Sequence, residues 1–276
     1  MIMRQQPVIF LHIPKAGGST LLNIVRRQYN SESIFSVDGK NPLESIKQFQ
    51  QLPKNDREST QVVMGHMYFG THEFLPNSKY ITMLRDPIER IISFYYYVLR
   101  NPDHNHYNLI ASKNLSLKDY VKSGIGKQLD NGQTRLLSGI DALDVEFGSC
   151  SETILERAKM NLKKYFAVVG ITEKFNESLL LMKSKLNWKK SILYKKANVT
   201  KNRPKKLDVA EVEIREIEKQ NEFDIELYRY AQELFTNQLQ ESSIEKKLHQ
   251  FIFLNNNYQT YTKTIDKFKS IFSSTR

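Results

Sequence analysis

Short apolar runs alternate with helical stripes along most of the chain. "PVIFLHI" (7–13) is almost wholly apolar and stops at Pro14, the pattern of a buried strand. "QVVMGH" (61–66), "KYITMLRD" (79–86) and "YFAVVGIT" (165–172) repeat it. Between the first two, Leu21, Leu22, Ile24 and Val25 are spaced for a helix that Ser19 or Thr20 can cap. Pro42 opens a helix over 42–51, "NDREST" reads as a polar connection, and Pro87 opens "IERIISFYYYVLR" as another helix. Residues 151–165 and 175–187 carry two more. Leu227, Tyr230, Ala231, Leu234 and Phe235 keep the stripe of a packed helix. Strands alternating with helices predict an α/β fold of three layers, a central parallel sheet flanked by helices. One domain is expected over 1–240, followed by a helical tail over 241–276.

Composition narrows this picture. Of 276 residues, 40% are hydrophobic and 26% charged, so a folded globular chain is expected. No stretch approaches the roughly 20 apolar residues of a membrane span, and the first ten residues lack a secretory pattern. Cys150 is the only cysteine, which excludes an intrachain disulfide framework and a cysteine zinc cluster. A cytoplasmic location follows as the expectation. The net charge of +11 points to an anionic partner. Lys189 to Lys206 holds eight basic residues and no acid, and reads either as a solvated loop or as an anion-binding surface.

The candidate chemistry begins after the first strand. In "PKAGGST", Lys15, Ala16, Gly17, Gly18, Ser19 and Thr20 stand between a strand and a helix, where helix amides face the ligand crevice of an open α/β sheet. The glycines let an anion approach the main chain, the hydroxyls donate, and Lys15 brings a mobile charge. The loop is P-loop-like, yet it is not GxxxxGK[ST], since no lysine follows Gly18. No acidic residue clearly ends a strand to hold magnesium, so a phosphate-bearing donor that needs no metal fits better than ATP. "LRDPIERIISFYYY" offers a second anion site, with Arg85 at a strand end and Ser93 two turns into the next helix. Read without that role, Arg85 pairs with Asp86 or Glu89 and Ser93 is an ordinary helix serine.

Taken together, "HIPKAGGSTL" and "LRDPIERIISFYYY" resemble the two signatures of sulfotransferases that use 3′-phosphoadenosine 5′-phosphosulfate (PAPS). The likeness is greatest to the carbohydrate group containing the heparan sulfate 2-O- and 6-O-sulfotransferases. It runs in patches from about residue 7 to 240 and leaves 101–127 and the tail unmatched. The resemblance implies that Lys15 to Thr20 hold the 5′-phosphosulfate and that Arg85 and Ser93 hold the 3′-phosphate. "VVMGHMYFG" is similar to the group's catalytic-histidine segment, which makes His66 the implied base. "NGQTRLLSG" is similar to a polar segment near the active site, implying that Asn131, Gln133 and Arg135 face the acceptor. "NVTKNRP" is similar to a late loop over the nucleotide, implying that Asn198, Lys201 and Arg203 approach the 3′-phosphate. The group's luminal members carry a membrane anchor and disulfides, both missing here, which implies a soluble enzyme.

The reaction so implied is an in-line displacement at sulfur, with PAP (3′-phosphoadenosine 5′-phosphate) as product and no metal required. Lys15 would neutralise the leaving phosphate, and His66 would take the proton of an acceptor hydroxyl, most simply a carbohydrate hydroxyl. His12 reads as a neighbour of the loop. His72, His104, His106 and His249 read as surface or packing residues, because no set of carboxylates or thiols accompanies them. Two rivals stay open: a metal-dependent nucleotide kinase, and a non-catalytic protein that binds polyanions through 189–206.

Overall fold

The computed structural model describes residues 6–196, 204 and 206–273. The chain runs β1 (Val8–Leu11), α1 (Gly18–Gln28), β2 (Ile34–Ser36), α2 (Pro42–Gln51), α3 (Lys54–Ser59), β3 (Val62–Gly65) and β4 (Lys79–Leu84). It continues with α4 (Pro87–Val98), α5 (Tyr107–Lys113), α6 (Leu117–Lys122), α7 (Gly132–Ser138), α8 (Glu152–Tyr165) and β5 (Phe166–Ile171). The remainder is helical: α9 (Phe175–Lys185), α10 (Glu211–Gln220), α11 (Glu222–Gln240) and α12 (Glu245–Ser273).

Among the described residues the sheet has five strands, all parallel, in the order β2-β3-β1-β4-β5. β1 lies at the centre, and each of its four residues is buried. Burial on both faces explains why it reads as a continuous apolar run, without alternation. From β1 the chain passes to the edge strand β2, returns to β3 between the two, and then crosses to β4 on the other side of β1. The central ends β3, β1 and β4 therefore flank a topological switch point, the usual place for a ligand.

Three local expectations are corrected. β2 is missed because three residues at a sheet edge, two half-covered and one exposed, carry no period. The polar stretch around "NDREST" forms the short helix α3, whose residues include none that is buried. The first helix begins at Gly18, with Gly17 at its N-cap, so Ser19 and Thr20 lie inside the first turn instead of capping it.

The main core packs β1, β3, β4 and β5 against residues such as Leu21, Ile24, Phe49, Leu179 and Leu227. A second apolar cluster joins α4, α6 and α10 through Ile91, Phe94, Val98, Tyr120 and Ile217. Asp86 caps α4 by accepting the Glu89 amide at 2.9 Å, with Pro87 in the first turn where a missing N–H costs nothing. The "FYYY" run splits by helical phase: Phe94 and Tyr95 are buried, whereas Tyr97 turns outward. Trp188 is buried, its indole N–H donating to the Tyr29 hydroxyl at 3.0 Å. Helix α12 returns over the main core with Phe251, and Asn255 accepts the Tyr194 amide at 2.8 Å. No described helix is long and apolar enough to cross a membrane.

Candidate active site

Three neighbouring strands deliver the central residues. Lys15 follows β1, His66 follows β3 and Arg85 follows β4, all at carboxyl ends. Adjacent strands stand about 4.8 Å apart, so these three ends span roughly 10 Å, the scale of one small ligand. The sequence proximity of these residues is nil; the parallel pairing alone brings them together.

The loop after β1 turns sharply. Lys15 (φ 67°) and Gly17 (φ 76°) both take left-handed backbone, a conformation that costs a non-glycine residue on the order of 1–3 kcal/mol. Gly17 suits it, and its open side faces the Phe175 ring, since a Cβ there would fall 3.3 Å from Cε2. The Thr172 hydroxyl lies 3.0 Å from the Ala16 carbonyl and 2.9 Å from the Leu84 carbonyl, tying the loop to the end of β4. Ala16 is buried, while Lys15 and Ser19 are half-buried and Thr20 is covered. The first amides of α1 point out of its N-terminus into this turn, where their partial positive charge favours an anion. The Lys15 ammonium rests over the Tyr97 ring, 3.9 Å from its centroid.

Arg85 is bound directly to this loop. One terminal guanidinium nitrogen donates to the Lys15 carbonyl at 3.0 Å, and the other to Glu89 at 3.1 Å. Glu173 stands 3.9 Å from its Nε. Glu173 also receives the Tyr228 hydroxyl at 2.7 Å, and Glu89 accepts the amide of Lys206 at 3.1 Å. The pairing of Arg85 with Glu89, open in the sequence, is therefore present together with the contact to the loop. Glu89, Ser93 and Tyr97 follow at four-residue steps on one helical face. Glu89 reaches Arg85 and Tyr97 reaches Lys15, so the half-buried Ser93 lies between them on the cleft side.

His66 is oriented by strand register. Leu11 pairs with Gly65, which sets the next residues, His12 and His66, side by side. Their rings stack with centroids 4.2 Å apart at 24°. His66 Nδ1 lies 2.8 Å from the His12 carbonyl, and a carbonyl only accepts, so Nδ1 carries the proton and Nε2 keeps a lone pair. Burial holds His66 below its ordinary proton affinity; the His12 carbonyl opposes this, and the Lys15 ammonium adds to it. His12 is pushed further down, by burial first, then by His66 and Lys15. Both rings are thus neutral near pH 7, the state a general base requires. Gly65, at φ 145°, fits here because a Cβ would meet the Val37 carbonyl at 2.7 Å.

The polar segment of α7 is placed differently from expectation. Asn131, Gln133 and Arg135 are 4%, 0% and 2% exposed, and their polar atoms are engaged inside the protein. Arg135 pairs with Asp130 and donates to the carbonyls of Asp130, Ala142, Val145 and Glu146. The Asn131 carboxamide accepts the amides of Phe223 and Asp224 at 2.9 and 3.0 Å. Gln133 grips the Arg85 backbone from both sides, accepting its N–H and donating to its carbonyl, each at 3.0 Å. These residues brace the cleft instead of lining it. Asn198, Lys201 and Arg203 lie outside the described residues.

Sequence reasoning missed the brace behind Gln133. Asp224, fully buried in α11, accepts the amides of Gln133 and Thr134 at 3.1 and 2.7 Å and the Thr134 hydroxyl at 2.8 Å. It also pairs with the fully buried Arg90 at 3.4 Å. Nothing in the local pattern marks Asp224, because acidic residues are ordinary in a helix and its partners lie 90 or more positions away. Among the described residues no cluster of three or more His, Cys, Asp or Glu is arranged to hold a metal ion.

Comparison with known proteins gives the family. A model of the sulfotransferase family matches residues 1–231. Heparan sulfate 2-O-sulfotransferase 1 of Gallus gallus is 27% identical over 258 residues, covering 83% of this chain and 70% of that protein. Heparan sulfate 2-O-sulfotransferase hst-2 of Caenorhabditis elegans is 28% identical over 193 residues, covering 63% of this chain and 58% of that protein. The crystal structure of mouse sulfotransferase SULT7A1 complexed with PAP overlaps 90% of this chain and 89% of that one, at 14% identity and a TM-score of 0.39. With a phosphate-type loop, a strand-end arginine joined to it, and a family match across most of its length, the chain belongs to the sulfotransferase family.

Proposed function

We propose that the protein transfers the sulfuryl group of PAPS to a carbohydrate hydroxyl, with His66 as general base and Lys15 at the leaving group. The hydrogen bond from Arg85 to the Lys15 carbonyl, at 3.0 Å, carries this reading. It makes the two anion sites of one nucleotide adjacent parts of one cleft. The fit of the donor rests on the cationic and amide groups that converge there: Lys15, Arg85 and the amino end of α1. Ser93 would add a hydroxyl to the 3′-phosphate site. Asn198, Lys201 and Arg203 would approach the same phosphate from the basic segment.

In this reaction the acceptor oxygen bonds to sulfur as the bond from sulfur to the 5′-phosphate oxygen breaks. The acceptor proton passes to Nε2 of His66, whose other nitrogen is held by the His12 carbonyl. Lys15 balances the charge that grows on the departing phosphate. A positioned base contributes about 10²–10⁴ in rate. A carbohydrate acceptor is supported by the heparan sulfate 2-O-sulfotransferases among the relatives. A cytoplasmic location belongs to this proposal as well, from the single cysteine.

Calorimetry with PAP, joined to transfer of labelled sulfate from PAPS onto heparan sulfate and onto lipid and peptide hydroxyls, tests it. Micromolar PAP binding, lost in Lys15→Ala and in Arg85→Ala, is expected, with transfer to the glycan. Tight ATP–magnesium binding without PAP binding would overturn it.

A further inference from the structure

The loop between α4 and α5 carries His104 and His106, in a stretch that the family signatures do not reach. Its turn is well tied: His104 donates its amide to Asn101 at 2.9 Å, and Tyr107 donates to the His104 carbonyl at 2.8 Å. His106 bonds the Tyr120 hydroxyl through Nδ1 at 2.7 Å, and its ring packs so closely on Gly126 that a Cβ there would meet Cε1 at 2.8 Å. His106 is thereby an anchor for His104. The two rings meet edge to face at 4.9 Å and 86°.

His104 reaches the catalytic cleft through Tyr97. Its ring stands 5.8 Å from that of Tyr97 at 88°, and the same Tyr97 ring carries the Lys15 ammonium. The decisive contact is at Nδ1, which accepts the His106 amide at 3.1 Å. A ring nitrogen that accepts an N–H holds no proton itself, so the neutral His104 carries its hydrogen on Nε2. Burial and the nearby Lys15 ammonium both disfavour a second proton.

Two neutral histidines in opposite tautomers therefore stand near Lys15. His66 is hydrogen-bonded at Nδ1 to an acceptor and offers a lone pair at Nε2; His104 is hydrogen-bonded at Nδ1 to a donor and offers an N–H at Nε2. We infer that His104 is an acceptor-binding residue, whose Nε2–H donates to an oxygen of the sugar unit that presents its hydroxyl to His66. The inference rests on the sulfuryl-transfer reading of the cleft. A neutral donor recognises a hydroxyl, ring or carboxylate oxygen without adding a charge beside Lys15. It fixes which hydroxyl of the unit faces the base, and so contributes to acceptor choice.

The test compares His104→Phe, which keeps the aromatic packing on Tyr97 and Phe94 but has no donor, with His104→Gln, whose side-chain amide restores an N–H near the Nε2 position. The acceptor probe is 2-O-desulfated heparan sulfate with labelled PAPS, and PAP affinity is measured in parallel. For His104→Phe, an acceptor KM raised roughly three- to tenfold is expected, the loss of one neutral hydrogen bond, with PAP affinity within about twofold of wild type. His104→Gln should recover most of that loss. An unchanged KM in His104→Phe, or an equal loss in His104→Gln, overturns the inference. So does a fall in PAP affinity in His104→Phe, which would mark a role in packing. Nitrogen-15 spectra of the folded wild-type chain read the tautomer without any acceptor: Nε2–H is expected for His104, and Nδ1–H overturns the assignment. A wild type that sulfates none of the acceptors overturns the underlying reading; an active wild type with an indifferent His104→Phe overturns this one alone.

Discussion

The guanidinium of Arg85 donates to the main-chain oxygen of Lys15, so the turn that begins the first helix and the end of the fourth strand form one hydrogen-bonded unit. A planar fork makes this possible, since Arg85 reaches Lys15 and Glu89 with different nitrogens. Arg85→Lys keeps the charge but has a single nitrogen. PAP affinity in Arg85→Lys is therefore expected to fall about tenfold or more, close to Arg85→Ala. Titration calorimetry measures this, and wild-type affinity in Arg85→Lys would show that charge alone suffices.

Gly18 faces the His12 ring with no room for a side chain: a Cβ built there would fall 1.8 Å from Nε2. Gly18→Ala must displace that ring, and with it the stacked His66. A stability loss of about 1–3 kcal/mol is expected, together with a collapse of turnover. The double variant Gly18→Ala, His12→Ala removes the clash and should regain most of the melting temperature. A Gly18→Ala protein with wild-type stability and turnover would contradict the packing.

Burial holds His12, His66 and His106 below the ordinary histidine value, His106 at about 4. As pH falls below about 6.5, the unfolded chain takes up protons that the folded chain refuses, so stability is lost with falling pH. For His106 the window runs from about 6.5 down to about 4. Urea midpoints should fall across that window, with a shallower slope in His106→Phe. Activity should hold to a pH below 6.5 before its acid limb, because His66 stays neutral there; an acid limb above 6.5 would remove His66 as the base.

Asp224 holds the amino end of α7 and the buried Arg90 at once. Asp224→Ala leaves a buried cation and two amides without their acceptor, and a loss of about 3–5 kcal/mol is expected in chemical denaturation. Adding Arg90→Met removes the stranded charge and should recover part of it. Gln133→Ala removes the clamp on Arg85 and leaves its N–H and carbonyl without that partner, so weaker PAP binding is expected with a stability loss of about 1–3 kcal/mol, smaller than that of Asp224→Ala.

Legibility in the chain followed the range of the physics. The central strands were readable because β1, β3, β4 and β5 are apolar runs bounded by turn residues, a local signal. β2 was not, since three residues at an edge are too few to show a period. Arg135 is expected to face the acceptor only because "NGQTRLLSG" resembles a polar segment near the family's active site. Only the fold shows four carbonyls and Asp130 closing around it. His104 reads as a surface or packing residue, and the bond from the His106 amide that sets its tautomer is visible only in the fold.

By itself the sequence determined the α/β alternation, the glycine turn at Lys15 to Thr20, and the arginine that follows β4. Each is set by neighbours along the chain: apolar period, glycine freedom and helix entry. Tertiary structure alone decided that His12 stacks on His66, that Arg85 reaches Lys15, and that Asp224 braces Gln133 from about 90 residues away. Those relations come from parallel register and helix packing, which join positions that no local pattern connects.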